Sequence, residues 1–414
     1  MPAATGTADL PLHGGRVPAW LSARMARLGR VIVEGIAHTY GRTEVLRRLS
    51  DPFWFQSFGA VMGMDWHSSG ITTSVIGALK RGLAPVADEL GVHVCGGRGR
   101  HSRRTPDELT ALGERRGLDA PALVQASRLV AKVDSAAVQD GFELYLHGFI
   151  VADDGAWVVV QQGMNGARRQ ARRYHWIWDR AGASAFVDEP HAAIEGRPAG
   201  PIVNLTDRRA APARGEIVAL ADGGPDATVA ALRRLRLPAH HDVRAEDIDL
   251  GRLGKTLAAV AARGPRDFPD LMLTPGVGAR TLFALALVAE VVHGAPSRFA
   301  DPARFSLAHG GKDGHPFPVP LRVYDETVRV LKDALTRAKL GQDERLAAIR
   351  RLDDQARLID AAAVTPAELH AGFAREWNAK AELGGRTVMD DDRRSGPRAD
   401  APNKPRRRQL SLPF

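Results

Sequence analysis

Cysteine is almost absent from this chain of 414 residues, in which Cys95 is the single example. One thiol cannot form a disulfide within the chain, and it cannot supply the cysteine ligands of a zinc or iron–sulfur centre. This scarcity suits a reducing compartment. Long apolar runs are also missing: residues 1–16 hold no stretch typical of a signal peptide, and no segment approaches the length of a membrane span. We therefore expect a cytoplasmic protein with no membrane partner.

Negative charge is in the minority. The sequence has 57 Lys and Arg residues against 48 Asp and Glu residues, which gives a formal net charge of +9. A basic surface attracts polyanions, and nucleic acid is the first candidate among them. The excess alone does not decide the partner, because a chain with 42 glycines and only four tyrosines has the composition that GC-rich genomes impose on their proteins.

The patterning divides the chain into three parts. Residues 1–222 mix helical periodicity with β-rich runs, including a hairpin signal at Asp153–Gly155, and this mixture predicts an α+β domain. Residues 223–383 carry helical patterns only, which predicts an all-α domain. Residues 384–414 consist largely of Gly, Asp, Arg, Pro and Lys before a short apolar end. Because that composition cannot bury a core, we expect a disordered basic tail.

A helix-hairpin-helix motif is predicted in the helical domain. Two segments of helical periodicity are joined by a glycine-rich turn and a basic residue, at Pro275, Gly276, Val277, Gly278, Arg280 and Thr281. Glycines permit the sharp turn, and the second helix begins with unpaired amide groups and a partial positive charge. These amides and Arg280 can hold a DNA phosphate without reading base sequence. The alternative is a tight turn within a helical bundle.

This stretch resembles the helix-hairpin-helix of base-excision DNA glycosylases, in which a similar Pro-Gly-Val-Gly segment occurs. The bifunctional glycosylases carry a catalytic lysine where this chain has Arg280, and an arginine cannot form the Schiff base. The iron–sulfur cysteines of many members are absent as well. A monofunctional glycosylase that uses one aspartate, such as Asp301 or Asp313, remains an alternative.

The end of the chain resembles a docking peptide for the bacterial sliding clamp. After three arginines the chain closes with Gln409, Leu410, Ser411, Leu412, Pro413 and Phe414. Such a hexapeptide on a flexible tail can place apolar side chains in small pockets, at an entropic cost that keeps the affinity modest. The alternative is an accidental apolar terminus. Docking on the clamp would agree with the predicted DNA contact.

A catalytic centre is predicted in the β-rich part of the first domain. Glu143 and His147 alternate along one strand, so that they would share a face, and Asp134 and Asp140 precede them. Carboxylates beside a histidine can hold Mg²⁺ or Mn²⁺ and orient a water for phosphodiester hydrolysis. Asp134, Asp140 and Glu143 would be the metal ligands, with His147 as base or nucleophile.

Two other interpretations of this segment stay open. His147, Asp154 and Asn165 loosely resemble the motif of the phospholipase D superfamily, in which histidine attacks phosphorus without a metal. Phe149 occupies the lysine position of that motif, and the spacing of the asparagine differs. The second interpretation is a polar strand face that is exposed to solvent and has no catalytic role.

Basic and aromatic residues elsewhere suggest further DNA contacts. Arg172, Arg173, Tyr174 and His175 combine charge with rings that could stack on an unpaired base. Two loops can approach a DNA phosphate, one with Lys312 in a glycine-rich setting and one at 98–104 with four arginines. A solvated charged loop is the alternative in each case.

Several clustered motifs resemble the prokaryotic family known as domain of unknown function 763. The resemblance covers about residues 5–360 and is carried by Leu10–His13, Asp51–Gln56, Asp65–Gly70, Lys132–Ser135, Gln161–Asn165, Arg172–Trp176 and Gly310–Gly314. It implies a helix-hairpin-helix-like part and a link to DNA processing. The sequence therefore predicts a DNA nuclease of repair or replication that the sliding clamp recruits. The alternatives are a non-catalytic clamp-tethered DNA-binding adaptor and a monofunctional glycosylase.

Overall fold

The computed structural model of the chain covers most of its first three hundred residues. It describes residues 10–11, 17, 19–64, 69–168, 170–178, 186–196, 198–234, 249–303, 329, 332, 333 and 336. The predicted basic tail, the C-terminal hexapeptide, Lys312 and Asp313 lie outside the described residues. None of the helices within the described ranges is both long and apolar enough to cross a membrane.

Five helices precede the first long strand: α1 (Ala19–Tyr40), α2 (Arg42–Ser50), α3 (Pro52–Val61), α4 (Gly70–Leu83) and α5 (Ala87–Leu90). An apolar stripe at helical spacing, which includes Met25, Ile32 and Ile36, buries one face of α1. The chain from Gly70 to Leu90 is divided between α4 and α5. Pro85 lies at the break, where its missing N–H and its ring disfavour a continuous helix.

The next elements are β2 (Val92–Arg98), α6 (Arg100–Arg103), α7 (Thr105–Arg116), α8 (Ala120–Lys132) and a π-helical turn at Val133–Ala137. Asp119 caps α8 by accepting a hydrogen bond from the Ala122 amide. Thr105 and Glu108 have the spacing of a capping box for α7, but Glu108 instead accepts from the Gly96 amide and from Lys80.

One antiparallel sheet forms the centre of the protein. Its strands are β1 (Leu10–Pro11), β2, β4 (Glu143–Ala152), β5 (Trp157–Asn165), β6 (Gln170–Trp178) and β7 (Ala193–Glu195). The order is β1-β6-β5-β4-β2, and β7 pairs with β6. The hairpin between β4 and β5 turns at Asp153–Gly155 as predicted, and Gly155 has a φ of 85° that favours glycine.

Both faces of this sheet are covered, which makes the strands apolar on both sides. Leu146, Ile150 and Val158 pack against the helices α1 to α4. On the opposite face, Phe149 and Tyr174 belong to a cluster that also contains residues of α7 and α8. From Leu146 to Ala152 on β4 and from Trp157 to Gly163 on β5, every residue is therefore buried whichever way its side chain points.

The rest of the described chain is mainly helical, with α9 (Ala211–Asp222), α10 (Pro225–Arg234), α11 (Leu250–Arg263), α12 (Phe268–Leu273) and α13 (Ala279–His293). It also contributes β9 (Arg298–Ala300), which joins β3 (Val138–Gln139) and β8 (Pro201–Asn204) in a second sheet. The expectation of an all-α second domain is corrected by β9. The predicted boundary at 222/223 separates α9 from α10, yet Phe149, Leu205, Leu257 and Leu285 belong to one hydrophobic cluster.

Candidate nucleic-acid interface

A helical hairpin joins α12 to α13 through a tight turn. The Val277 amide donates to the Thr274 carbonyl over 3.1 Å, and Gly276 has a φ of 88°. With Pro275 before this glycine, the segment has the arrangement of a type II turn, in which the third residue needs a positive φ. Thr274 and Val277 are buried, whereas Pro275 and Gly276 are exposed. The turn is thus anchored from within and open at its tip.

Gly278 begins α13 in a way that neither backbone strain nor packing explains. Its φ of −151° and ψ of −171° are extended values that any residue adopts. A Cβ built on Gly278 would meet no described atom within 4 Å. No described side chain caps α13, and the first amides of a helix have no partner within the helix. Arg280 is exposed beside them. The space at the start of α13 is open and lined by donors.

Two hydrogen bonds among the described residues connect the backbone of this turn to the rest of the protein. The Lys132 ammonium donates to the Val277 carbonyl oxygen over 2.6 Å, and burial lowers the pKa of this lysine. The Gln139 side-chain amide donates to the Ala279 carbonyl over 2.9 Å. Lys132 belongs to the family motif Lys132–Ser135, but no sequence pattern indicates its contact with Val277 or that of Gln139 with Ala279, because these contacts span 145 and 140 positions of the chain.

His147 is placed in the interior, in a chain of hydrogen bonds. Its Nε2 lies 2.9 Å from the Ser127 hydroxyl and its Nδ1 lies 2.7 Å from Gln161 Oε1. The Gln161 side-chain nitrogen donates to Asp134, so its oxygen is the atom that accepts the proton of Nδ1. The neutral ring then accepts from Ser127. Burial lowers the pKa of His147 to about 4, so the ring is neutral at physiological pH.

Glu143 and His147 do not share one face of β4, contrary to the prediction. A β-bulge interrupts β4 between Leu144 and Leu146 and shifts the alternation by one residue. Tyr145 consequently packs toward α1 to α4, whereas His147 points to Ser127 of α8. Glu143 is exposed at the start of β4.

The predicted metal ligands Asp134 and Asp140 form hydrogen bonds with separate sets of protein side chains. Asp134 accepts from Gln161 and Trp176 and contacts His191. Asp140 accepts from Tyr174 over 2.6 Å. Within the described ranges, no group of three His, Cys, Asp or Glu side chains has the geometry to hold a metal ion. The structure therefore does not assemble Asp134, Asp140 and Glu143 into the expected metal site.

Asp154 serves the β4–β5 turn. Its Oδ1 accepts from the Ala156 amide over 3.0 Å. The five residue steps along the strand from His147 to Ala152 alone extend about 16 Å. Asp154 therefore does not join His147 in a common site, as the phospholipase D-like interpretation would require.

Arg172 forms a buried ion pair with two aspartates. Its Nη1 lies 2.8 Å from Asp140 and its Nη2 lies 2.8 Å from Asp301. Asp301 also accepts from the Ala199 and Ala303 amides. The expectation that Arg172 contacts DNA phosphate is corrected by this burial. The same contacts occupy Asp301, one of the two aspartates, with Asp313, that a monofunctional glycosylase could use.

Arg173 lies in a row of polar side chains across three strands on the other face. It stands opposite Gln162 on β5 and Glu195 on β7, and it pairs with Glu195 and with Gln56. Among the described residues, Gln162 Oε1, Arg173 Nη1 and Glu195 Oε1 are buried without a hydrogen-bond partner. Since each such atom costs about 1–3 kcal/mol, ordered water is the usual means of satisfying them.

Tyr174 and His175 are equally inaccessible. The Tyr174 hydroxyl donates to Asp140, and burial raises the pKa of this tyrosine well above its usual range. His175 Nδ1 lies 3.2 Å from the Leu49 carbonyl, and burial together with Arg173 holds its pKa well below the usual value. Neither ring can stack on a base. This placement corrects the expectation that Arg172, Arg173, Tyr174 and His175 contact DNA, and it equally excludes the alternative of a solvated charged loop.

The described fold is that of an α+β protein in which a helical hairpin packs against the layers of an antiparallel sheet. Residues 6–319 match the family described as protein of unknown function (DUF763). The chain belongs to this family, as its clustered motifs indicated. No curated protein and no solved structure gives a match to the chain.

Proposed function

We propose that this protein binds DNA by holding the sugar-phosphate backbone at the hairpin between α12 and α13. The observation that carries the proposal is Gly278. Its extended backbone and open surroundings do not require a glycine, and Ser, Asn or Asp would be the better cap for α13. A bare backbone at this place lets a phosphate reach the first amides of the helix.

The proposed contact is electrostatic and independent of base sequence. The first amides of α13 and the positive end of its dipole favour an anion, and exposed Arg280 adds a charged donor. Lys132 and Gln139 fix the turn before any ligand arrives, so little entropy is lost on binding. The affinity should fall steeply with salt and vary little between duplex sequences.

The test is Gly278→Val, assayed by fluorescence anisotropy on a labelled duplex. Valine fits an extended backbone, so the variant should fold, while its side chain fills the space through which a phosphate would approach. We expect a loss of affinity of at least about tenfold, since hydrogen bonds to charged groups contribute about 1.5–3 kcal/mol. Gly215→Val on α9, also exposed and with open space around its Cβ, is the matched control. Equal affinities for both variants would reject the hairpin contact.

The burial of His147, Asp134 and Asp140 favours the non-catalytic form of this proposal, a DNA-binding adaptor, over a nuclease. We expect no cleavage of single-stranded, duplex, bubble or flap DNA with Mg²⁺, with Mn²⁺ or with EDTA. Metal-dependent cleavage that is lost in His147→Ala, in a variant shown to remain folded, would restore the nuclease hypothesis.

Recruitment by the sliding clamp is a separate part of the proposal and is supported by the C-terminal sequence alone. Leu412 and Phe414 are the apolar side chains expected to enter the clamp. We expect the wild-type chain to bind purified bacterial clamp and the variant Leu412→Ala, Phe414→Ala to lose that binding while it keeps its affinity for DNA. Unchanged clamp binding by the variant would exclude this docking site.

A further inference from the structure

We propose that residues 98–104, which we name the α6 basic segment, form a second phosphate-contacting surface for the same DNA. This inference rests on the proposed DNA-binding function and extends it to a place in the fold remote in sequence from the hairpin. The segment contains five basic or histidine residues within seven positions, all of them exposed: Arg98, Arg100, His101, Arg103 and Arg104.

The positive charge of the segment is not neutralised by neighbours. Among the described residues, none of its four arginines takes part in an ion pair, although exposed ion pairs occur elsewhere, as between Arg115 and Asp88. The two carboxylates that follow are Asp107 and Glu108. Asp107 is exposed and makes no ion pair with the segment, and Glu108 is bound to Lys80. Unpaired arginines at this density suit a polyanion.

The backbone that carries these arginines is held firmly. Ser102 is buried, and its hydroxyl donates to the Gly99 carbonyl. The Thr105 hydroxyl, also buried, donates to the Ser102 carbonyl over 2.8 Å. At the base of the segment, Lys80 donates to the Gly96 carbonyl over 2.8 Å. A fixed backbone presents the side chains without the cost of ordering a loop on binding.

An aromatic ring accompanies the arginines. The Arg98 guanidinium lies 5.7 Å from the centre of the Tyr145 ring, and the Gly99 amide donates to the Tyr145 carbonyl over 2.9 Å. Tyr145 is only partly buried. Arginine beside an accessible ring is a common feature of nucleic-acid contacts, because the ring can pack on a sugar or base while the charge meets a phosphate.

The segment and the hairpin lie at the same end of the central sheet. Gln139, which contacts the hairpin, is six residues before Tyr145, which contacts Gly99. Six residues span at most about 20 Å, and one helical turn of DNA is about 34 Å. A duplex that extends for one helical turn from α13 is therefore long enough to reach the α6 basic segment.

The test is the salt dependence of duplex affinity for Arg100→Gln, Arg103→Gln, Arg104→Gln. Arg98 is left in place because it packs on Tyr145. Each phosphate contact contributes about 0.9 to the slope of log affinity against log salt, so three lost contacts should reduce the slope by about 2 to 3. The control is Arg47→Gln, Arg208→Gln, Arg234→Gln, which removes the same charge from three exposed sites on separate elements.

The two contacts can fail separately. An unchanged slope in the α6 variant, or an equal loss in the control, would reject the second surface whatever Gly278→Val shows. A reduced slope in the α6 variant with no effect of Gly278→Val would reject the hairpin contact and leave the α6 contact standing. Vesicles rich in phosphatidylserine are included as an alternative polyanion. If the α6 variant loses vesicle binding but keeps its DNA slope, the segment binds membrane surfaces and the inference is wrong.

Discussion

The ammonium of Lys132 lies 2.6 Å from the carbonyl oxygen of Val277, so the end of α8 directly supports the turn of the hairpin. The donor and the acceptor are both buried residues. A hydrogen bond in such surroundings is costly to remove, because the remaining partner has no water to replace the lost one. The position of the candidate DNA contact therefore depends on α8, which packs on the central sheet.

The variant Lys132→Met should show this link. Methionine keeps the apolar stem but leaves the Val277 carbonyl without its donor, so we expect a loss of about 1–3 kcal/mol in the free energy of unfolding. Urea denaturation measures it. Lys255→Met on the exposed side of α11 is the control, for which surface substitution predicts less than about 0.5 kcal/mol. Similar losses in both variants would contradict the supporting role of Lys132.

Stability should decrease in mild acid because of His147. Burial lowers the pKa of this histidine from 6.5 to about 4, so the unfolded chain binds more protons between these values. The stabilisation present above pH 6.5 is lost as the pH falls toward 4, and the full difference corresponds to about 3 kcal/mol.

The measurement compares the wild type with His147→Gln by urea denaturation at several pH values. The variant has no titrating ring at this place, so the stability advantage of the wild type should shrink as the pH falls from 7 to 4. His101→Gln, at an exposed position, serves as the control and should give a difference that stays nearly constant. A constant difference for His147→Gln would mean that the buried ring does not titrate as described.

Breaking the buried pair of Arg172 and Asp301 should be strongly destabilising. Asp301→Ala removes one of the two carboxylates that pair with the Arg172 guanidinium, in an interior where neither Arg172 nor Asp301 has exposed side-chain surface. Removal of one partner of a buried pair typically costs about 3–5 kcal/mol. Glu34→Ala breaks a partly exposed pair with Arg30 on α1 and should cost less than about 1 kcal/mol. The losses of stability are measured by thermal and urea unfolding of the two variants. Equal losses would contradict the stabilising role of the buried pair.

Cys95 should be inert in the folded protein. The side chain is buried, and burial raises the pKa of its thiol to about 12, whereas the thiolate is the form that reacts. Iodoacetamide at pH 8 should leave the native chain unmodified and alkylate it rapidly in concentrated urea, as read by mass spectrometry. The chain has no other cysteine, so the signal belongs to this residue. Comparable rates in both conditions would indicate that the strand β2 opens readily.

The sequence predicted the regular elements better than their environment. The apolar stripe of α1, the turn at Asp153–Gly155 and the glycine turn before α13 are local patterns, and the structure contains all three elements. β9 was missed because three residues without alternation give no strand signal. Its pairing with β8 depends on a partner about a hundred residues earlier in the chain.

The burial of the side chains that were predicted to be catalytic or to contact DNA could not be predicted from the sequence, because burial depends on how the helices and sheets pack together. Arg172 and Arg173 occupy opposite faces of β6, and each face is covered by helices or by the second sheet region. The run Arg172–His175 was therefore expected to be accessible to DNA, whereas Arg172 and Arg173 form ion pairs in the interior. The bulge after Leu144 was equally invisible, because no residue type marks it.

One hydrophobic cluster continues from Phe149 of the sheet to Leu285 of α13, so the folding of the hairpin depends on the folding of the sheet. Because the hairpin shares this core with the sheet, we do not expect it to fold when it is expressed alone or moved into another protein. The sheet and the hairpin should then unfold in one cooperative transition. A substitution deep in the sheet should therefore weaken the proposed DNA contact at the hairpin without being part of that contact.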